Sequence, residues 1–343
     1  MKKLLNTVYV TTEGASLKKD GENLVAMLDG TEKARVPLHM LASVVTFGPI
    51  FISPGLIQAC ASAGISIALL DRVGRFQARI EGPVSGNVLL RRAQYRSSEK
   101  PEPFVRGFLA GKIANQRTVL QRALRDRANL ATDSRAAIET VVARLGFILR
   151  RVALGEDELE TLRGYEGEAA KLYFSVFDHL IASDDPLMRF TGRSRRPPLD
   201  AVNGLLSFLY TLLTHECRSA AETVGLDPAV GFLHRDRPGR PSLALDLMEE
   251  LRPVFVDRLA LALINRKQIQ SSDFDRRDGG AVLLNERGRK TVITAWQERK
   301  KTERRHDFLD ENAPFGLVPY LQALLLARFL RGDLDAYPSW FWK

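Results

Sequence analysis

Cysteine is nearly absent: Cys60 and Cys217 are the two thiols in 343 residues. Both sit among small and apolar neighbours, which points to buried, reduced side chains and a cytoplasmic setting rather than a disulfide-stapled secreted one. Long apolar runs are missing as well. No stretch approaches the roughly 20 residues a membrane span needs. The opening MKKLLNTVYVTTEG has lysines but neither the apolar core nor the small-residue cleavage site of a signal peptide. Histidine is scarce, five in the chain, and no two stand at the H-x-x-x-H spacing of zinc enzymes. His39, His179, His215 and His306 therefore read as structural. No glycine loop of the phosphate-cradling kind occurs, which disfavours a hydrolase of small phosphorylated molecules. No repeat of fixed period is present either.

Acidic residues are outnumbered. Fifty lysines and arginines against 41 carboxylates leave a net charge of +9, which favours a polyanionic partner, nucleic acid before a membrane surface. The hydrophobic fraction of 45% is that of an ordinary globular protein and allows a packed core. The length is long for one domain and comfortable for two.

The first 80 residues or so read as short strands. Asn6–Thr12, Leu24–Leu28, Ala34–Pro37 and Val44–Phe47 carry β-branched and apolar alternation, with Lys19-Asp20-Gly21 and Asp29-Gly30 as turns. Ser53-Pro54 opens a short helix that Gly64 closes. Ile65–Leu70 is a buried strand, and Asp71–Arg75 turns into a further strand ending at Ile80. From Pro83 the pattern becomes helical, broken by SSEKPEP at Ser97–Pro103. Apolar residues at three-to-four spacing predict helices over Phe104–Asp126, Ser134–Leu154, Asp200–Val224, Leu251–Arg266, Val292–Arg305 and Pro314–Leu330. Ala281–Thr291 reads as a small hairpin, and Lys112 joins Arg106, Arg117, Arg122, Arg125 and Arg127 on the polar face of the first long helix. The expected class is multidomain α+β. Residues 1–82 form a β-rich, sandwich-like domain, 83–103 a linker with a short helix, and 104–343 a larger all-α domain that carries the chemistry.

Two stretches can carry that chemistry. In AVGFLHRDRPGRPSLALDLMEE, Ala229–Glu250, a histidine, a proline-bracketed arginine loop and a helix start with three acids fall together. At 100° per residue Asp246, Glu249, Glu250, Pro253 and Asp257 share one face, opposite Leu247, Leu251, Val254 and Phe255. That face is either solvated or half of a site. In LRGYEGEAAKLYFSVFDHL, Leu162–Leu180, Glu166 falls on the side of Ala170, Tyr173, Phe177 and Leu180. A carboxylate on a core-facing side needs a cation, a metal or hydrogen bonds to offset its desolvation; the alternative is a residue of the first helical turn that bends to solvent. Glu166, His234, Asp246 and Glu249 make a mixed oxygen-and-imidazole set that suits Mn²⁺ or Mg²⁺ better than zinc. A hard cation beside basic residues fits phosphodiester chemistry.

RGYEGEAAKLYF, DAVNGLLSFLYTLL and GFLHRDRPGRPSLALDLMEELRP, in that order, resemble the CRISPR-associated Cas1 integrase family over nearly the whole chain. GRKTVITAWQERKKTERRH and LLLARFLRGDLDAYPSW resemble its subtype I-C branch. The resemblance implies that Glu166, His234 and Glu249 are catalytic metal ligands, with Asp246 either a ligand or one step behind. It implies a homodimer joined by a Cas2 protein into a heterohexameric integration complex, with a Cas4 nuclease as a further partner. The implied reaction is attack of a fragment's 3′-hydroxyl on a phosphodiester of the repeat in double-stranded DNA. Expected DNA contacts are Tyr165, Arg193, Arg195, Arg196, Asn203, Arg235, Arg237, Arg240, Lys300, Lys301, Arg304 and Arg305. For Asn203 a structural hydrogen bond is an equal alternative, for Tyr165 packing is, and any one of the cations taken alone reads first as a solvated surface charge. The competing expectation is a non-catalytic nucleic-acid-binding scaffold whose acids are structural.

Overall fold

The computed structural model describes residues 7–41, 43–71, 76–83, 88–127, 130–194 and 196–342. Two compact units emerge. The first joins Met1–Ser85 with Leu284–Thr302 and Pro314–Leu317; the second holds Gly86–Leu283, Glu303–Ala313 and Val318–Lys343.

In the first unit β1 (Thr7–Val10), β2 (Ser16–Asp20), β3 (Asn23–Leu28), β4 (Thr31–Pro37), β5 (Ser43–Phe47), β6 (Phe51–Ile52), α1 (Pro54–Ser62), β7 (Ser66–Leu70) and β8 (Phe76–Ile80) follow one another. They build two four-stranded sheets, ordered β1-β5-β7-β8 and β4-β3-β2-β6. The β3–β4 hairpin turns on Asp29 and Gly30, both at positive φ, the backbone a tight two-residue hairpin loop demands. Ser53 Oγ accepts from the Leu56 N–H at 3.3 Å, so serine caps α1 and Pro54 opens it. Leu17 and Leu24 of one sheet, Val44 and Ile67 of the other, and Leu56 and Cys60 of α1 close one apolar core. β1, β5 and β7 pair in parallel, with Val8 opposite Val44 and Val44 opposite Ile67. The expected Asp71–Arg75 turn lies for the most part outside the described residues.

The second unit is mostly helical: α2 (Val88–Ser97), α3 (Glu102–Asp126), α4 (Thr132–Leu154), α5 (Leu159–Ser175), α6 (Ala201–Val224), α7 (Ser242–Glu249) and α8 (Arg258–Asn265). Between α7 and α8 runs a π-helical turn, Arg252–Asp257, that contains Pro253. Proline removes a backbone donor, and such widened turns cluster at functional sites. A β-rich region followed by a mostly helical one is the class the sequence predicts.

The expected hairpin at Ala281–Thr291 is displaced. β9 (Phe274–Arg276) pairs with β10 (Val282–Leu284) around Gly279 and Gly280, both at positive φ. Asn285 then caps α9 (Glu286–Lys301) by accepting from the Gly288 N–H at 3.0 Å. Gly288 sits inside that helix, which disguised its first turn. α9 ends at Lys301, and Glu303–His306 is strand β11, paired with β12 (Glu311–Pro314) ahead of α10 (Val318–Leu330). Sequence order placed α9 with the helical domain. Its inward Val292, Ile293 and Trp296 are buried in the β-rich unit, where Gln297 Nε2 donates to the Thr7 carbonyl at 3.3 Å. No helix among the described residues is long and apolar enough to cross a membrane.

Candidate active site

α7 is short, and nearly all of it is inside. Asp246, Glu249 and Glu250 are buried, as is Asp257 past the π turn, so the acidic face is not solvated. Each carboxylate has its own compensation. Asp246 is spent on one loop: its Oδ2 accepts from the Phe232 and Leu233 N–H groups at 2.6 and 3.0 Å. Its Oδ1 takes the His234 N–H at 3.0 Å and His234 Nδ1 at 2.6 Å. An ionised carboxylate only accepts, so Nδ1 presents a proton to Asp246 and Nε2 is the ring nitrogen turned away from it. Gly231 makes the loop possible. A Cβ there would stand 2.8 Å from Ser242 Cβ and 2.9 Å from Asp246 Oδ2.

Glu249 faces the other functional groups. Lys112 Nζ, from α3, lies 2.8 Å from its Oε2 and also contacts Glu166 Oε1 of α5. Arg252 Nη2 lies 3.2 Å from Glu249 Oε1, and His234 Nε2 4.0 Å from the same oxygen. Burial alone would raise the Glu249 pKa, but Arg252, Lys112 and His234 hold it well below the usual carboxylate range. Glu166 is the more accessible carboxylate, its side chain 31% exposed against 2% for Glu249.

Glutamates, histidine and aspartate from three distant segments therefore meet, as expected. Lys112 is a correction: it is buried, not on the polar face of its helix. The signal was present, because Val105, Phe108, Leu109, Gln116, Val119 and Leu120 place position 112 in the apolar stripe. Arg252 was also missed, three residues from its carboxylate.

The donor set fits a hard divalent ion: two carboxylates and an imidazole nitrogen whose ring partner is tied to a carboxylate, the arrangement that orients metal-binding histidines. Among the described residues no three such groups already surround a common point, the carboxylates being closed on the Lys112 ammonium.

The expected DNA contacts divide. Arg193 Nη1 donates to Asn203 Oδ1 and the Ser194 carbonyl, both at 2.6 Å, and its guanidinium lies over the Tyr210 ring. Asn203 Nδ2 donates to the Gly192 carbonyl and Asp200. This pair braces the start of α6. Arg196, Arg235 and Arg237 are exposed, and Arg235 reaches Glu160 at 2.9 Å. Desolvation and the nearby Arg237 lower the pKa of half-buried Arg240. Tyr165 accepts from Arg151 Nε at 3.3 Å. Arg195 lies outside the described residues. Lys301 and Arg305 are exposed, paired to Glu298 and Asp310, and Arg304 is half-buried. Lys300 departs from expectation. It is buried, because it follows Trp296 by one helical turn on the inner face of α9.

The family model described as CRISPR associated protein Cas1 matches residues 8–298. The chain is 69% identical, over all of both chains, to a protein of Rhodospirillum rubrum named CRISPR-associated endonuclease Cas1 2. Among solved structures, a casposase bound to integration product superposes with a TM-score of 0.81 at 21% identity, covering 98% of this chain and 94% of its own. A Cas6-RT-Cas1–Cas2 complex gives 0.81 at 21% identity, over 98% of this chain and 36% of that one. With a full-length relative and the family model both spanning the carboxylate–histidine site, the chain belongs to the Cas1 family of CRISPR-associated endonucleases.

Proposed function

We propose that this chain joins short DNA fragments to a CRISPR repeat at the site built by Glu166, His234 and Glu249, as a metal-dependent phosphodiester transesterase. One observation carries the assignment of the site: Glu166 and Glu249 converge on a single point beside a histidine whose Nδ1 is fixed by Asp246. Glu166, Glu249 and His234 Nε2 would hold Mn²⁺ or Mg²⁺, and Asp246 would set the imidazole without binding the ion itself. A bound ion of this kind neutralises phosphate charge and polarises the phosphodiester under attack. Arg252, beside Glu249, keeps that carboxylate ionised and adds positive charge where phosphate charge develops.

Double-stranded DNA is the substrate the net charge supports, since neutralising its backbone takes cations and makes binding fall steeply with salt. Tyr165, Arg195, Arg196, Arg235, Arg237, Arg240, Lys301, Arg304 and Arg305 are the proposed contacts that remain once Arg193, Asn203 and Lys300 are assigned to internal bracing. The subtype I-C branch is supported by the two C-terminal motifs. A homodimer bridged by Cas2, with Cas4 as a further partner, is supported by the family and by the Cas1–Cas2 complex among the similar folds. The cytoplasm fits the two buried cysteines.

The experiment is strand transfer of a short duplex with free 3′ ends into supercoiled repeat DNA, with Cas2 and Mn²⁺ or Mg²⁺. Glu166→Gln and His234→Ala are expected to lose the product. Integration at the parent rate by either variant sinks the assignment.

A further inference from the structure

Lys112 has no place in the assignments above, although it is the cation that touches both carboxylates. Its side chain is 5% exposed and touches both Glu166 Oε1 and Glu249 Oε2. Its neighbour Gly111 explains how it gets there. A Cβ at position 111 would stand 2.7 Å from Glu250 Cβ and 2.9 Å from Glu250 Oε2, so glycine lets α3 close on the end of α7. The helix backbone then leaves the ammonium as the group that spans α5 and α7. Arg252 makes its ion pair with Glu249, three residues away, and acts on Glu166 only through space.

We propose that Lys112 is a resident counter-ion of the ligand pair, and that metal uptake is an exchange in which its ammonium yields Glu166 and Glu249 to the incoming ion. The inference rests on Glu166 and Glu249 being metal ligands. Two carboxylates that meet at one point repel each other, and the buried one, Glu249, is costly without a cation. In metal-free protein the ammonium meets that need, holding the two groups in register. The same contacts oppose the metal, since an ion that takes these oxygens must first break them. Lys112 therefore sets a threshold: it preserves the site when empty and weakens its affinity. This is opposite to a lysine that merely braces the fold, whose loss would loosen the site and weaken metal binding.

The test uses full-length protein stripped with a chelator and titrated with Mn²⁺, followed by the EPR signal of free Mn²⁺ and by thermal melting. Lys112→Met keeps the stem and removes the charge. The expected result is a lower melting temperature without metal, a larger rise on adding Mn²⁺, and a Kd tighter by roughly tenfold or more, since relief of unpaired buried charge adds to binding. Lys112→Arg supplies an independent arm should the methionine variant fail to fold. A guanidinium forks onto carboxylates with more hydrogen bonds and is harder to displace, so Mn²⁺ binding should weaken. Glu166→Gln separates the two ideas. If it abolishes Mn²⁺ binding while Lys112→Met binds with unchanged or weaker affinity, the exchange is wrong and the ligand assignment stands. If Glu166→Gln binds Mn²⁺ as the parent does, the ligand assignment is wrong and the exchange goes with it. Tighter or unchanged binding by Lys112→Arg also overturns the exchange.

Discussion

Glu249 and Glu250 are adjacent, equally buried, and treated in opposite ways. Glu249 is surrounded by Lys112, Arg252 and His234, which keep it ionised against its burial. Glu250 has no cation beside it among the described residues. Its Oε1 accepts from Tyr337 Oη at 2.5 Å and Gln322 Nε2 at 2.8 Å, and its Oε2 from the Trp340 N–H at 2.7 Å. Burial outweighs those bonds and pushes its pKa up to about 7. One side of the helix end thus concentrates charge, and the other grips the C-terminal tail with neutral donors. Asn115 completes the grip, donating to the Glu250 and Trp340 carbonyls and accepting from the Trp342 N–H. Trp342 is in turn covered by the guanidinium groups of Arg122 and Arg258, 3.8 and 4.2 Å from its centre. A step of 100° along a helix is enough to separate chemistry from anchoring.

The contrast breaks most visibly on the charged side. Glu249→Gln keeps the shape and removes the charge, leaving Lys112 and Arg252 without their common partner. Strand transfer should fall by roughly a hundredfold or more, the usual scale for loss of a group acting on transition-state charge. The measurement is single-turnover integration at saturating Mn²⁺, and a variant within threefold of the parent would refute the role of this carboxylate. On the anchoring side Trp340→Ala removes a fully buried indole. It should cost on the order of 3–5 kcal/mol of unfolding free energy, read by chemical denaturation. Equal stability of that variant would mean that the tail is not seated on Glu250.

Much of this arrangement was legible and part was not, for physical reasons. Local signals are legible where one residue determines one piece of backbone: Asp29-Gly30 turns a hairpin and Ser53-Pro54 starts α1. Glu166 was legible because a carboxylate on an apolar helix face advertises its need for a partner. Which cation met it was harder to see, since Lys112 lies 54 residues away and only packing of α3 against α5 brings them together. The parallel pairing of β1, β5 and β7 and the grip of Glu250 on the tail are equally non-local. The acids of α7 looked like one amphipathic face; the sequence pattern carried no sign that Asp246 is consumed by backbone donors of the Phe232–His234 loop.

That loop supplies a finer test. In Gly231→Ala the added methyl would meet Ser242 Cβ and Asp246 Oδ2. The expected cost is about 1–3 kcal/mol in stability, as for overpacking elsewhere. Integration should fall further than that stability loss explains, because His234 shifts with Asp246. Measured kcat on protein shown to be folded by circular dichroism separates the two; unchanged turnover would dissociate the loop from the site.

A further buried acid of this segment sharpens the comparison through pH. Asp257 accepts from Tyr210 Oη at 2.5 Å, and burial raises its pKa to about 6, opposed by Tyr210, Tyr173, Arg252 and Arg193. A carboxyl with a raised folded pKa binds its proton more tightly when folded than unfolded. Its contribution is complete below about pH 4 and is lost as pH rises through 6, amounting to about 3 kcal/mol. Asp257→Asn should lack that fall, so the difference between variant and parent unfolding free energies should shift by about that amount between pH 4 and 7. A parallel pair of curves would mean that Asp257 titrates normally.

The smallest effects belong to two consecutive lysines that repeat the contrast of the glutamates. Lys300 is 1% exposed, whereas the Lys301 side chain is 66% exposed and paired to Glu298. If Lys301 touches DNA phosphate, Lys301→Ala should lower the slope of log affinity against log salt by about one unit while changing stability by less than about 0.5 kcal/mol. Lys300→Met should do the reverse, leaving the salt slope alone and shifting the denaturation midpoint, because its charge lies inside α9's packed face. Salt titrations of duplex binding by both variants decide the matter. An altered slope with Lys300→Met would mean that this side chain leaves the interior to meet DNA, and would return it to the contacts from which its burial removes it.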